Sequence, residues 1–167
     1  VVVKPNETFV LADVQGMGAI QQIWMTPAGN WRFAIIRFYW DGETEPSVEC
    51  PVGDFVACGW GRYAQISSLA VCVNPGSAFN CYWPMPFARG ARITLTNESP
   101  RVFGGGLGRL WYHVDWEQHE RPPADDLGRF HAQWRRQNPT PLQAEILESL
   151  VRRPNDKSPI TNHRAPS

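Results

Sequence analysis

Short apolar runs recur along the chain, and each is closed by turn residues. "TFVLAD" ends before "VQGMG", "AIQQIWMT" at Pro27-Ala28-Gly29-Asn30, "RFAIIRFYW" at Asp41-Gly42 and "SVECPV" at Gly53-Asp54. "SSLAVCVN" ends at Pro75-Gly76, "FNCYWPMPF" at Arg89-Gly90, "ARITLTN" at Glu98-Ser99-Pro100, and "RLWYHVDWEQ" before Pro122-Pro123. "GRFHAQWRRQ" closes at Asn138-Pro139. Runs of this length, alternating and punctuated by Gly, Pro and Asn, predict strands rather than helices. Some eight or nine of them, joined in places by long connections, predict an all-β fold: a single antiparallel β-sandwich of the jelly-roll kind over residues 1–138. Beyond it the pattern changes. "TPLQAEILESLVRR" carries Leu142, Ile146, Leu150 and Val151 at helical spacing, which predicts a short helix over 139–153. The polar, proline-broken stretch 154–167 reads as a tail.

Faces follow from the alternation. In "ARITLTN", Ile93 and Leu95 oppose Arg92, Thr94 and Thr96. In "RLWYHVDWEQ", Leu110, Tyr112, Val114 and Trp116 oppose Trp111, His113, Asp115 and Glu117. "RFAIIRFYW" is apolar on both sides apart from Arg32 and Arg37, so it is expected to be central or pressed against another subunit. Arg37 shares a side with Phe33, Ile35 and Tyr39, and burial there calls for a carboxylate partner. "NCYWPMPF" gathers large rings and prolines in eight residues, either as core packing with a bend or as the wall of a site. Phase places Phe79, Cys81, Trp83 and Met85 in the core and leaves Asn80 and Tyr82 for the far face.

Charge narrows the functional classes. The 167 residues carry 16 basic and 16 acidic side chains, with no basic stripe, which disfavours a nucleic-acid partner. No apolar run approaches the roughly 20 residues needed to cross a bilayer, so a soluble protein with no membrane partner is expected, cytoplasmic or exported. The opening "VVVKPNETFVLADV" lacks the apolar core of a signal peptide. It begins on valine instead of methionine, which reads as a processed or trimmed start and leaves export open. Cys50, Cys58, Cys72 and Cys81 are irregularly spaced, unlike the paired spacing of a zinc site, and are expected to be buried free thiols. No metal or cofactor is implied.

Candidate chemistry concentrates in "WDGETEPSVECPVGDFVACGWGRY". Asp41-Gly42 is a hairpin-turn signal. Glu49 points away from the core, and Asp54 stands at the mouth of a glycine-rich loop with Phe55, Trp60 and Tyr63. Carboxylates beside rings suit a sugar, whose faces stack while its hydroxyls take the oxygens; two at the right separation can hydrolyse a glycoside. The plainer alternative is that Glu49 pairs with an arginine and Asp54 caps the loop. A second row, His131, Gln133 and Arg135, could hold a polyol or a carboxylate, and is equally well read as a solvated strand face. "GGGLG" (104–108) lacks the strand–helix context of a phosphate loop and reads as a hairpin tip.

"GMGAIQQIWMT", "RFYWDGETEPSVECPVGDFVACG", "FNCYWPMPFARGARITLTNES" and "FHAQWRRQNPT" resemble, in this order, the N-terminal half of glycoside hydrolase family 172, from Lys4 to about Thr140. That bacterial family includes enzymes acting on difructose dianhydride and on arabinofuranosides. The resemblance implies a jelly roll, normally one of two in tandem, and assembly as trimers or dimers of trimers, a plan shared with double jelly-roll capsid proteins. It implies a carbohydrate partner of fructofuranoside or arabinofuranoside type, and "NCYWPMPF" as a structural element. Asp41, Glu49, Asp54, Trp60, Tyr82, His131 and Arg135 are the substrate-binding candidates. The family's catalytic glutamates lie in its second half, in motifs resembling G-E-G-D-E and G-T-G-T-E-D-Y. Neither occurs here, so the catalytic residues are unassigned; Glu49 and Asp54 match motif positions without inheriting that role. Three readings follow: a jelly-roll module of a carbohydrate-active oligomer, a capsid-like or shell-forming protein, and a complete glycosidase using Glu49 and Asp54 at a subunit interface.

Overall fold

The computed structural model describes residues 1–104, 109–124 and 127–137. The chain divides into two compact units, Val1–Trp134 and Arg135–Ser167. The helix expected over 139–153 and the tail over 154–167 lie outside the described residues.

The strands are β1 (Thr8–Gln15), β2 (Gly18–Thr26), β3 (Ala34–Trp40), β4 (Val48–Pro51), β5 (Ile66–Ser67) and β6 (Val71–Val73). They continue with β7 (Phe79–Cys81), β8 (Met85–Phe87), β9 (Gly90–Asn97), β10 (Trp111–Gln118) and β11 (Ala132–Gln133). One helical turn, α1 (Val52–Phe55), follows β4 directly. One sheet has the order β1-β9-β3-β4-β11; the other runs β10-β2-β7-β6-β5, with β8 also on β2. All pairings are antiparallel except that of β11 with β4. The fold is an all-β sandwich. β1 and β2, separated by Gly16 and Met17, belong to different sheets, as do β9 and β10. Because β1 pairs with β9 and β2 with β10, one double ribbon passes over both sheets, which is the wrapping expected of a jelly roll.

Alternation builds the core. In β3 the side chains of Ala34, Ile36, Phe38 and Trp40 have no exposed surface, and Ile93 and Leu95 of β9 join them. The second sheet contributes Ile20, Ile23, Met25, Phe79, Met85 and Phe87. β3 is central, as its two-sided apolar pattern predicts, and Arg37 on its outer side finds its carboxylates. Its Nε lies 2.6 Å from Glu49 Oε2, and Nη2 lies 3.6 Å from Glu98 Oε1. The four cysteines are free; Cys50, Cys58 and Cys81 are buried, whereas Cys72 is half-buried.

The expectation for "FNCYWPMPF" needs one correction. Phe79, Cys81 and Met85 are buried as their phase requires, but Trp83 is 43% exposed. The run is two strands, not one. Cys81 pairs with Ile23 and Met85 with Ile20, so three residues, Tyr82 to Pro84, stand where β2 has only two. The extra residue bulges the chain and interrupts the alternation over these three exposed residues, after which Met85 and Phe87 are buried again. Pro84, which cannot donate to a ladder, sits at the break. Trp83 is thereby turned out of the core.

Candidate functional site

The extruded Trp83 is one wall of an aromatic groove. The others come from two local consequences of the sequence. β4 ends at Pro51 and runs straight into α1, whose single turn presents Asp54 and Phe55 at the sheet end. Later, the segment 127–134 returns along the sandwich and lays β11 parallel to β4, Ala132 beside Val48 and Gln133 beside Glu49. It carries Phe130 and Trp134. The resulting cavity measures about 270 Å³ and is lined by Cys50, Asp54, Phe55, Trp83, Phe130 and Trp134, among others. Ring centroids of Trp83 and Phe130 are 5.7 Å apart, and those of Phe55 and Phe130 6.4 Å.

Asp54 joins this groove to a second concavity lined by Arg32, Gly59 and Trp60. Its Oδ1 accepts from Arg32 Nη1 at 2.8 Å and from Trp134 Nε1 at 3.1 Å. Arg32 also donates to the carbonyl of Gly59, and its guanidinium lies 5.5 Å from the centroid of the Trp134 ring. Trp60, between Gly59 and Gly61, is 94% exposed. The arrangement offers ring faces for stacking, rimmed by a carboxylate and a guanidinium that can exchange hydrogen bonds with hydroxyls.

Asp41 is placed differently. Asp41 and Gly42 both have positive φ, 57° and 85°, and Glu43 N donates to Trp40 O at 2.9 Å, so the turn read from the sequence forms as the chain leaves β3, at the start of a longer connection to β4. Its Oδ1 accepts from the amides of Ala88 and Arg89 at 2.7 and 2.6 Å, and its Oδ2 from Arg129 Nε at 2.7 Å. Burial alone would raise this carboxyl's pKa. The amides of Arg89 and Ala88 and the Arg129 guanidinium together outweigh it, so the pKa falls below the usual 3.8 and Asp41 stays charged. Asp41 also borders a polar cavity of about 630 Å³ with Tyr39, Asp13 and Arg92, where Arg92 lies over the Tyr39 ring and 4.0 Å from Asp13 Oδ2.

The remaining candidates are dispersed. Glu49 projects from the opposite face of β4 to Cys50 and is paired with Arg37, the plainer of the two readings given for it. Tyr82 is 42% exposed and its hydroxyl lies 3.3 Å from Asn80 Oδ1. His131 is exposed between Phe130 and Ala132, and Arg135, also exposed, falls in the second unit. Of the expected residues, the structure therefore brings together Asp54 and Trp60. Trp83, Phe130, Trp134 and Arg32 complete the groove and were not among the substrate-binding candidates. Pro84 was the signal for Trp83, since a proline inside an alternating run argues for a break. No group of three or more metal-ligating side chains is found among the described residues.

A family model described as GH172 domain-like matches residues 1–104, and comparison with curated proteins finds no match.

Proposed function

The chain belongs to the GH172 domain-like family, and from that premise we propose that it is a carbohydrate-binding sandwich module that stacks furanoside rings in the Trp83–Phe130–Trp134 groove. The observation that carries this reading is the extrusion of Trp83 beside Phe130, around a carboxylate already neutralised by Arg32. An exposed ring next to a charged, hydrogen-bonding rim suits the apolar face and hydroxyl edge of a sugar. The module supplies binding, and hydrolysis is left to the glutamate motifs that the family resemblance implies, neither of which occurs within these 167 residues. Glu49 and Asp54 are each held by an arginine, and Asp41, with its depressed pKa, is unsuited to act as a general acid near neutrality. It works within an oligomer, with a trimer favoured.

Titration with arabinofuranosides and fructofuranosides, followed by tryptophan fluorescence, tests the reading. Saturable quenching without turnover is expected, and Trp83→Ala should abolish the quenching while the protein remains folded. Turnover that disappears in Glu49→Gln would establish a complete glycosidase instead. A folded protein with no saturable response to either sugar class would favour the shell-forming role.

A further inference from the structure

Both carboxylate oxygens of Asp41 accept from protein donors, and its contacts converge on both walls of the groove. On one side, its Oδ1 holds the amides of Ala88 and Arg89, immediately after β8 and five and six residues beyond Trp83. On the other, its Oδ2 holds Arg129, the residue before Phe130. The neighbouring Trp40 adds Nε1 to Phe130 O at 2.8 Å. The carboxylate is thus tied both to the chain leaving the bulge and to the segment that carries the second wall. We propose that Asp41 and Arg129 form a latch that positions the groove by holding the strap 127–134 against the bulged strand.

The latch adds a charged tie to a strap that is also held by backbone, ring and side-chain contacts, the Trp40–Phe130 bond among them. β11 contributes two residues to the sheet, and the strap's amides from 128 to 134 are anchored to β4 and its lead-in through Ala132 N to Ser47 O and Trp134 N to Glu49 O, at 3.2 and 3.1 Å. Ring contacts and the Trp134–Asp54 bond add to this, but both depend on the strap already lying in place. Arg129 supplies a charge-assisted bond upstream of the pairing, where the strap has none from β11. With a side-chain exposure of 22% against 14% for Asp41, the pair is shielded from full solvent screening. Arg129 also donates to Leu127 O, which stiffens the strap locally. The backbone at Asp41 is part of the device. Its left-handed conformation aims the carboxylate across the turn, and Asp and Asn are among the few side chains that accept it.

This latch concerns the groove assigned above to sugar binding and rests on that reading for its function, though not for its existence. The test is hydrogen exchange on the full chain, reading the amides of Ala132 and Trp134 against those of β3 and β9. In Arg129→Ala, exchange at these two amides should rise by about tenfold or more while β3 and β9 remain protected. Arg129→Lys should restore part of the protection. Asp41→Asn keeps an acceptor for the two amides and tolerates the turn, so it should loosen the strap without unfolding the hairpin. Affinity for a methyl arabinofuranoside should fall in step with the loss of protection. Unchanged exchange at Ala132 and Trp134 in Arg129→Ala would overturn the latch. A loosened strap in a protein that binds neither arabinofuranoside nor fructofuranoside in its wild-type form would uphold the latch and sink the sugar reading.

Discussion

Trp83 and Phe79 share a sequence phase and meet opposite fates, because alternation is a property of an unbroken strand. The apolar character of "NCYWPMPF" was legible; the extra residue between Cys81 and Met85 was not, since it is defined by where β2 pairs. Trp83→Ala should cost only about 1 kcal/mol, the worth of one exposed ring contact with Phe130, whereas Phe79→Ala should cost about 3–5 kcal/mol. Paired melting curves read the difference. The thiols offer a second contrast. Burial, with Asp54 and Glu49 nearby, pushes Cys50 up to about 12, and burial pushes Cys81 up to about 11. Alkylation of the native protein near neutral pH, mapped by mass spectrometry, should therefore label the half-buried Cys72 and spare Cys50 and Cys81. Asp41 gives a pH dependence of definite sign. A carboxyl whose folded pKa lies below its unfolded one stabilises above the unfolded value and loses that contribution as pH falls through the folded value. The acid limb of the melting profile should be shallower in Asp41→Asn, with the difference confined to pH values around and below 3.8.

At the level of elements the sequence reads well wherever a strand is long. β1, β2, β3, β9 and β10 all fall within or beside runs marked by alternation and turn residues, and Arg37 was recognisable as needing a carboxylate. Short pieces are another matter. β5 and β11 have two residues each, too few for a period, and α1 has a single turn. The contacts that assemble the groove were illegible for a different reason: Asp54 meets Arg32 across 22 positions and Trp134 across 80, distances at which local pattern carries no information. Close strand approach yields a further test. A Cβ on Gly18 of β2 would overlap the carbonyl of Glu117 in β10, which is backbone and cannot swing aside. Gly18→Ala should force the two strands apart and cost about 1–3 kcal/mol, read as a lowered melting temperature. The same change at Gly128, where no atom lies within reach of an added Cβ, should be tolerated far better.

The whole molecule carries large side chains at its surface: Trp60 is 94% exposed, Trp111 62% and Phe33 46%. Such surfaces commonly mark contacts between subunits. Light scattering at micromolar concentration should return a trimer, and a clean monomer would remove the assembly part of the proposal. The sandwich architecture itself was anticipated from turn spacing, but which strand lies beside which was not, because the neighbours are remote in sequence. That remoteness has a kinetic consequence. β1 finds β9 across 88 residues, Thr8 against Thr96, and β2 meets β10 at Trp111 and Thr26. β3 can pair with β4, and β2 with β7 and β8, before β9 exists, but β1 and one edge each of β2 and β3 must wait unpaired until β9 and β10 have been made. The loop-closure entropy falls due before the contacts that reward it, which places refolding in the slow, millisecond-to-second range typical of non-local β topologies. It also makes the nascent chain, more than the finished protein, the form most exposed to aggregation.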